Sequence, residues 1–385
     1  MGNNYQPALV VVAFNRINSL ARILRSLDQA SYPANTTLVI SIDNNGTNQD
    51  VADFANAYIW KFGEKKVIYH PERLGLRNHV IKCGDLVNTY GSVIILEDDL
   101  FLSPVFYEYA LEAINFYAHD NRIAGISLYS LPYSETSKLP FASIDDDSSV
   151  FFKQMPASLG QVWTKEQWTG FRNWYETDPD LNTISGIPEP IMKWPEHSWK
   201  RYFTAYVVKF NKYFVFPRYS FSTTFPDIGT NMVTRSFYLQ APLKLKLAEP
   251  VFKELDDAVN VYDVFAELLP DRLNRLTSQF KDYDYETDLY GWKTKYNKPY
   301  VLTSRACSDA LFSFDRTMKP HEMNVIMNIK GDLIHFVKSE NVTSRSQNLE
   351  EFLEEQTYFH RSIYKTPILL KILKRRLLKK LKRKG

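Results

Sequence analysis

Three consecutive carboxylates, Glu97, Asp98 and Asp99, are the residues of this chain best suited to do chemistry. They follow an apolar run at residues 93–96, which is typical of a strand buried on both faces of an α/β sheet. Adjacent carboxylates repel each other, and burial raises their pKa values, unless a cation balances them. Mg²⁺ and Mn²⁺ are often held by one or two carboxylates together with substrate phosphates. The motif therefore predicts a divalent metal site, with a solvated acidic turn as the alternative.

The neighbouring elements predict where this motif lies. Apolar runs indicate strands at residues 8–13, 37–42 and 66–69, and helical spacing indicates helices at 18–27, 51–60 and 79–87. This alternation predicts an α/β fold with a mostly parallel sheet flanked by helices. Ligands of such sheets bind beyond the carboxyl ends of the strands. We therefore expect residues 14–16, 43–45 and 97–99 along one edge of the sheet.

Composition restricts the class of protein. The chain has 385 residues, 44% of them apolar and 15% aromatic, which is enough for one large or two moderate cores. Cys83 and Cys307 are its two cysteines, so we do not expect a disulfide scaffold. Such low cysteine usage fits a protein of a reducing compartment. The sequence shows neither a signal peptide nor a run of 18 apolar residues, so we expect a cytoplasmic protein.

The middle of the chain contains two segments of unusual composition. Residues 132–149 are polar and rich in turn formers, and they predict a long loop. Residues 160–203 are dense in Trp, Tyr and Phe, which favours a core; a platform for sugar rings is the alternative. With 14 glycines in the whole chain, we find no glycine-rich phosphate loop and no dinucleotide fingerprint.

The order of motifs is similar to that of the GT-A (Rossmann-like) nucleotide-sugar glycosyltransferases. The similarity covers residues 7–335 and rests on AFNR, SIDNNG, RLGLRNHV, LEDDL, LGQVWTKEQW and KWPEHSWKRYF. More narrowly, the chain resembles bacterial transferases of polysaccharide synthesis that are distantly similar to N-acetylglucosaminyltransferase I. The resemblance implies a UDP-sugar donor, Mn²⁺ or Mg²⁺ as cofactor, and a growing lipid-linked cell-surface glycan, such as O-antigen or capsule, as acceptor.

The resemblance also implies roles for individual residues. Asp99 would bind the metal, while Glu97 and Asp98 would face the ribose and the sugar. The remaining donor contacts would be made at the nucleobase by Phe14 and Arg16, at uracil or ribose by Asp43, and at the diphosphate by Arg73, Arg77 and either Asn78 or His79.

At the catalytic base this chain departs from the pattern of the enzymes that it resembles. An inverting reaction needs a general base at the acceptor hydroxyl, and the related enzymes place an Asp after the Trp of the WPxxxW segment. Here Lys200 and Arg201 follow Trp199. Glu196 is our first substitute, because Pro195 predicts a helix start with Glu196 in its first turn. Asp227 is the second candidate.

The expected organisation has four parts. Residues 1–130 form the donor-binding half, 131–240 the acceptor-binding half, 241–349 an appended segment, and 350–385 a helical, membrane-associating tail that begins with a helix at 350–364. Two other functions stay open on these residues. One is a sugar nucleotidyltransferase, although AFNRINS is not the glycine-rich, lysine-containing loop that it needs. The other is a non-catalytic glycan-binding protein.

The last twenty residues stand apart in charge. They hold nine Lys or Arg and no acid, so removing them changes the formal net charge from +3 to −6. Leucines fill much of one helical face and cations most of the other, which predicts an amphipathic helix on an anionic membrane surface. Nucleic acid is not expected as a partner, because a leucine face has no use there. We therefore expect a peripheral protein on the inner face of the plasma membrane, held through residues 366–385.

Overall fold

The computed structural model describes residues 5–227, 239–343 and 365–382. The chain divides into two compact units, residues 1–282 with 318–327, and residues 283–317 with 328–385. The boundaries expected at 130/131 and 240/241 both fall inside the first unit. The reason is a shared sheet, because a strand at Val261–Tyr262 pairs with a strand at Val150–Lys153.

The first part of the chain alternates strands and helices as predicted. Its elements are β1 (Ala8–Ala13), α1 (Ile17–Asp28), β2 (Leu38–Ile42), α2 (Gln49–Ala57), β3 (Lys65–Tyr69), α3 (Gly75–Gly84), α4 (Val87–Tyr90) and β4 (Ser92–Glu97). The predicted strands are correct to within one residue at each end. The helix expected at 79–87 begins at Gly75 instead and ends at Gly84.

The rest of the first unit adds shorter elements. In chain order they are β5 (Leu100–Leu102), α5 (Phe106–Tyr117), β6 (Ile123–Ser127), β7 (Val150–Lys153), β8 (Gln161–Thr164), α6 (Lys165–Tyr175), α7 (Glu189–Met192), α8 (Trp199–Lys209), β9 (Tyr213–Pro217), β10 (Ser222–Thr224), β11 (Val261–Tyr262), α9 (Pro270–Leu276) and α10 (Glu322–Ile326). The long loop predicted at 132–149 lies between β6 and β7 and contains neither helix nor strand.

In the described part of the first unit, nine strands form one sheet in the order β11-β7-β9-β6-β8-β4-β1-β2-β3. The pairs β4–β1, β1–β2, β2–β3 and β6–β9 are parallel, whereas β8 is antiparallel to both β4 and β6. Strands β1, β2, β3, β4, β6 and β9 therefore run in one direction. Their carboxyl ends lie along a single edge, which we call the rim.

The core explains why these strands are apolar throughout. Leu9, Ile40 and Leu96 are fully buried on sheet faces that α1, α2 and α5 cover. Burying an aliphatic side chain of this size contributes about 1.5–3 kcal/mol. The aromatic block is largely core as well, since Trp163 and Phe203 are buried and stacked at 5.5 Å between ring centroids. The core interpretation of that block is confirmed for these side chains.

The second unit contains a separate small sheet and the tail. Its strands are β12 (Tyr285–Asp288), β13 (Tyr300–Thr303), β14 (Phe312–Phe314) and β15 (Ile334–Lys338), in the order β12-β13-β15-β14. The tail helix, α11, spans Thr366–Lys382. The helix expected at 350–364 lies outside the described residues. No helix in the described ranges is long and apolar enough to cross a membrane.

Candidate active site

The rim brings together the three segments that the sequence placed there. Residues beyond β1, β2 and β4 are neighbours because these strands are adjacent and parallel. Backbone bonds continue past the strand ends: Asp98 N donates to Val12 O at 3.1 Å, and Asp43 N to Ala13 O at 3.0 Å. Side chains from residues 14–16, 43–45 and 97–99 therefore share one surface.

Arg16 is the counter-ion of the acidic motif. Its Nη2 donates to Asp98 Oδ1 and, at 3.2 Å, to Asp99 Oδ2. Asp98 is buried, and its second oxygen, Oδ2, has no hydrogen-bond partner among the described residues. Burial raises the pKa of Asp98 to about 6, even though the charge of Arg16 acts to lower it. One guanidinium thus offsets part of the repulsion between the carboxylates.

Glu97 is the most perturbed of the three acids. Burial, followed by the charges of Asp99 and Asp98, raises the pKa of Glu97 to about 8. Arg16 and Lys200 act in the opposite direction. Burial and the two neighbouring carboxylates thus outweigh the charges of Arg16 and Lys200 at Glu97, and a cation bound at the motif would favour its ionised form.

The residues present fit a metal that is only partly held by protein. Among the described residues, no three histidine, cysteine or acidic side chains form a cluster that could hold a metal ion. Asp99 offers a carboxylate whose side chain is 23% exposed at the rim, and the free Oδ2 of Asp98 lies in the same motif. Mg²⁺ and Mn²⁺ are commonly bound by one or two carboxylates, with phosphates and waters completing the shell.

Phe14 and Arg73 form an aromatic and cationic pair at the rim. The guanidinium carbon of Arg73 lies 4.7 Å from the centroid of the Phe14 ring. Such a contact holds the long side chain over the ring. It brings together two residues predicted to contact the donor, although they are 59 positions apart in the sequence.

The carboxylate of Asp43 has a structural function in this site. It accepts hydrogen bonds from the backbone N–H groups of Leu74 at 2.7 Å and Gly75 at 3.0 Å. It thereby binds two of the unpaired N–H groups at the start of α3. This contact explains why α3 begins four residues earlier than predicted. Each carboxylate oxygen can still accept a further hydrogen bond, so the predicted ligand contact stays a prediction.

The polar groups of Arg77, Asn78 and His79 contact other parts of the protein, so these residues do not form one anion site in this structure. Arg77 Nη1 donates to Glu196 O at 2.9 Å and to Tyr202 Oη at 2.8 Å. Asn78 donates to a carbonyl of its own helix. His79 is buried beside Ser41, and burial lowers its pKa to about 4, so it is neutral. Arg73 is therefore the best-placed of the predicted diphosphate contacts in this structure.

The two candidate bases have different surroundings. The prediction that Pro195 begins a helix is wrong: α8 starts at Trp199, and Glu196 lies in an exposed turn before it. Asp227 accepts from Ser19 Oγ at 2.9 Å and from Arg22. Partial burial acts to raise the pKa of Asp227, but these hydrogen bonds and the charge of Arg22 hold it below its usual value.

A group of charged side chains near the rim was not predicted from the sequence. Lys200 forms an ion pair with Glu135, which lies in the long loop, and both side chains are nearly buried. Lys153 is fully buried, and its Nζ has no hydrogen-bond partner among the described residues. Burial lowers the pKa of Lys153 to about 8. The charge pattern of the loop gave no signal for this pairing, because its members are distant in sequence.

Part of the chain matches a known protein family. Residues 8–172 match the model of the family described as Glycosyl transferase family 2. This part of the chain is therefore similar to glycosyltransferases of that family. The matched range contains β1 to β4, the acidic motif and Arg73. No protein of curated function matches the chain significantly in sequence.

Several solved structures are similar over part of their length. TarS residues 1–349 from S. aureus shares 12% identity, covers 56% of this chain and 59% of that one, with a TM-score of 0.36. GalNAc-T7, solved with UDP, GalNAc and Mn²⁺, is 12% identical to this chain; the match covers 56% of this chain and 43% of that one, with a TM-score of 0.38. The mannosyltransferase PcManGT from Pyrobaculum calidifontis, in complex with GDP-Man and Mn²⁺, shares 14% identity, covers 48% of each chain, with a TM-score of 0.30. The chain thus spans about half the length of these structures.

Proposed function

We propose that this glycosyltransferase is metal-dependent and transfers a hexose-type sugar from a UDP-sugar to a hydroxyl of a growing lipid-linked cell-surface glycan, with inversion. The observation that carries the donor side is the meeting of Arg16, Asp98 and Asp99 at the rim, inside the range that matches the family. With a divalent cation bound by the acids, Arg16 and Arg73 would add positive charge for a nucleoside diphosphate, and Phe14 would offer an aromatic ring to its base.

Each of these rim residues would contact a different part of the donor. Phe14 offers a ring face to the base, and the Arg73 guanidinium lies within reach of a diphosphate bound beside that ring. Asp99 would hold Mn²⁺ or Mg²⁺, which supplies positive charge to the leaving diphosphate. Charge that develops on a leaving group is stabilised more in the transition state than in the ground state, which is how such contacts accelerate transfer.

We assign the general base to Glu196 rather than Asp227. A base must accept a proton from the acceptor hydroxyl, and its carboxylate must be accessible to that hydroxyl. Glu196 is exposed in the turn before α8. Asp227 already accepts from Ser19 and Arg22, and its lowered pKa makes it a weaker proton acceptor.

A panel of nucleotide sugars tests the activity. We expect one UDP-sugar to be turned over to UDP in the presence of Mn²⁺, and the activity to disappear with a chelator. A sugar nucleotidyltransferase would instead consume a sugar phosphate and a nucleoside triphosphate. A glycan-binding protein would release no nucleotide from any member of the panel.

Donor binding should depend on pH in a defined direction. The pKa is about 8 for Glu97 and about 6 for Asp98, so both acids take up protons as the pH falls through this range. A bound divalent cation favours the ionised carboxylates, so binding releases protons. We therefore expect the affinity for UDP with Mn²⁺ to fall by about tenfold per pH unit for each proton involved. Calorimetry between about pH 8 and about pH 6 measures this change, and a constant affinity would contradict the charge assignment.

We also propose that α11 docks the enzyme on the inner face of the plasma membrane, where lipid-linked acceptors reside. Leu370, Leu373 and Leu377 are 61%, 55% and 63% exposed, and cations are interspersed among them. A helix of 17 residues is about 25 Å long, and exposed leucines along it form a face that water solvates poorly. Leucines with lysines and arginines match an anionic lipid surface.

Truncation after Lys365 tests this docking. Each cation near an anionic leaflet contributes about 1 kcal/mol. If the equivalent of about three cations remains after the cost of ordering the helix, the full-length chain should bind phosphatidylglycerol vesicles on the order of 10²-fold more tightly than the truncated chain. Vesicles of phosphatidylcholine alone serve as the matched surface without charge. Donor turnover should be the same in both chains. Equal sedimentation of both chains with anionic vesicles would exclude the anchoring role.

A further inference from the structure

A cavity lies along the rim, outside the donor site. Its volume is about 240 Å³, and it lies between α5, the loop at 145–149 and the segment that follows β9. We call it the rim cavity. Strand β9 is three strand positions from β4 in the sheet order, which places the end of β9 roughly 14 Å from the acidic motif along the same edge.

Tyr109 lines the rim cavity and carries a buried hydroxyl. This side chain is 1% exposed, and its Oη has no hydrogen-bond partner among the described residues. The ring is stacked on Phe221, with centroids 4.2 Å apart and planes at 8°, which fixes the direction of the hydroxyl. Burial raises the pKa of Tyr109, so the phenol stays neutral. A buried polar group without a partner is unfavourable, and a hydrogen bond to a ligand hydroxyl would remove that cost.

The mouth of the rim cavity carries an exposed aromatic ring. Tyr219 is 66% exposed, and Lys244 Nζ lies 5.5 Å from the centroid of its ring. Asp145 and Asp147 add exposed carboxylates to the lining, and Asp145 also lies 3.5 Å from the guanidinium of Arg218. An aromatic face together with carboxylate acceptors is suited to a pyranose ring, whose carbon face is apolar and whose edge carries hydroxyls.

Arg218 also lines the cavity, but its guanidinium is hydrogen-bonded to the loop. Arg218 donates to Ser148 O at 2.6 Å, to Ile144 O at 2.7 Å and to Asp146 Oδ1 at 2.9 Å. Its guanidinium is therefore occupied by the loop. Lys244 is a further cation of the lining, and the exposed carboxylates of Asp145 and Asp147 offset its charge, so the lining as a whole does not favour an anion.

We propose that the rim cavity is a subsite for an uncharged sugar residue of the acceptor glycan, with Tyr219 as the stacking surface and the Tyr109 hydroxyl as a hydrogen-bond partner. This assignment rests on the proposed function, because it takes the acceptor to be a glycan. It specifies the chemistry of one acceptor residue, a neutral hexose or N-acetylhexosamine. It also predicts that recognition extends beyond the hydroxyl that receives the transferred sugar.

Saturation-transfer NMR with methyl glycosides of glucose, galactose, mannose, N-acetylglucosamine and N-acetylgalactosamine tests the subsite. We expect at least one of them to bind the wild-type chain at millimolar concentration. Tyr219→Ala should weaken this binding about tenfold, and Tyr109→Phe about fivefold. The matched controls are Phe210→Ala, which removes another exposed ring, and Tyr58→Phe, which removes another phenol hydroxyl. Both controls should bind as the wild type does.

Calorimetry with UDP and Mn²⁺ on the same variants separates this proposal from the proposed function. Donor binding should be unchanged by Tyr219→Ala and Tyr109→Phe. If no glycoside binds the wild type, or if neither substitution weakens binding, the subsite is excluded even where UDP binds. If a glycoside binds through Tyr219 while UDP does not bind, the glycan site stands and the proposed transferase function fails.

Discussion

Asp99→Asn should abolish turnover and leave the fold intact. The substitution removes one negative charge from the acidic motif and almost no volume. The backbone carbonyl of Asp99 accepts from Phe225 N at 3.0 Å, and this contact does not depend on the side chain. A metal at a developing charge stabilises the transition state by several kcal/mol, so we expect a rate loss on the order of 10³-fold or more. Release of UDP from the donor, measured across Mn²⁺ concentrations, gives this number.

Two further variants make the result for Asp99 specific. Glu97→Gln should have a smaller effect, because an amide can still form a hydrogen bond with a sugar or ribose hydroxyl. Asp53→Asn removes a carboxylate from the exposed surface of α2 and should have no effect. Turnover by Asp99→Asn at the wild-type rate across Mn²⁺ concentrations would rule out the metal-binding role.

Glu196→Gln should lower kcat far more than it weakens donor binding. The substitution keeps the size and polarity of the side chain but removes its ability to accept a proton. General base catalysis typically contributes ~10²- to 10⁴-fold in rate, so a loss in that range is expected. Donor affinity should be nearly unchanged, because the contact with Arg77 is made by the backbone carbonyl of Glu196. The configuration of the product at the anomeric carbon, determined by NMR, should be inverted.

Asp227→Asn is the matched test for the second candidate. Its carboxylate binds Ser19 and Arg22 of α1, so the substitution should reduce thermal stability. We expect its kcat to stay within about tenfold of the wild type, below the range that general base catalysis supplies. A large loss of kcat in Asp227→Asn, together with a Glu196→Gln variant near the wild type, would show that the base is Asp227.

The rim could be predicted from the sequence because it depends on local patterns. The apolar runs of β1, β2 and β4 are recognisable since both of their faces are buried, and their carboxyl ends must then lie together. The acidic motif is recognisable because three adjacent carboxylates are unfavourable without a cation. Both features reside within single segments of fewer than ten residues.

Contacts between distant segments could not be predicted in this way. The α3 start is set by Asp43, which lies 32 residues before Gly75, and no local capping signal marks it. Arg77 turns toward Glu196, 119 residues away, because α8 packs near α3. The prediction of a helix at Pro195 used a local preference that the turn before Trp199 overrides. Side-chain contacts between segments far apart in the sequence decide the positions of the α3 start and of Arg77.

Binding of UDP should depend on a metal held by the acidic motif. In titration calorimetry with the wild-type chain, we expect UDP to bind in the presence of Mn²⁺ and a chelator to abolish or strongly weaken this binding. Asp99→Asn should show the same weak binding with and without Mn²⁺. If UDP fails to bind the wild type, or binds equally well with and without the metal, the acidic motif is not a metal site for a nucleotide donor.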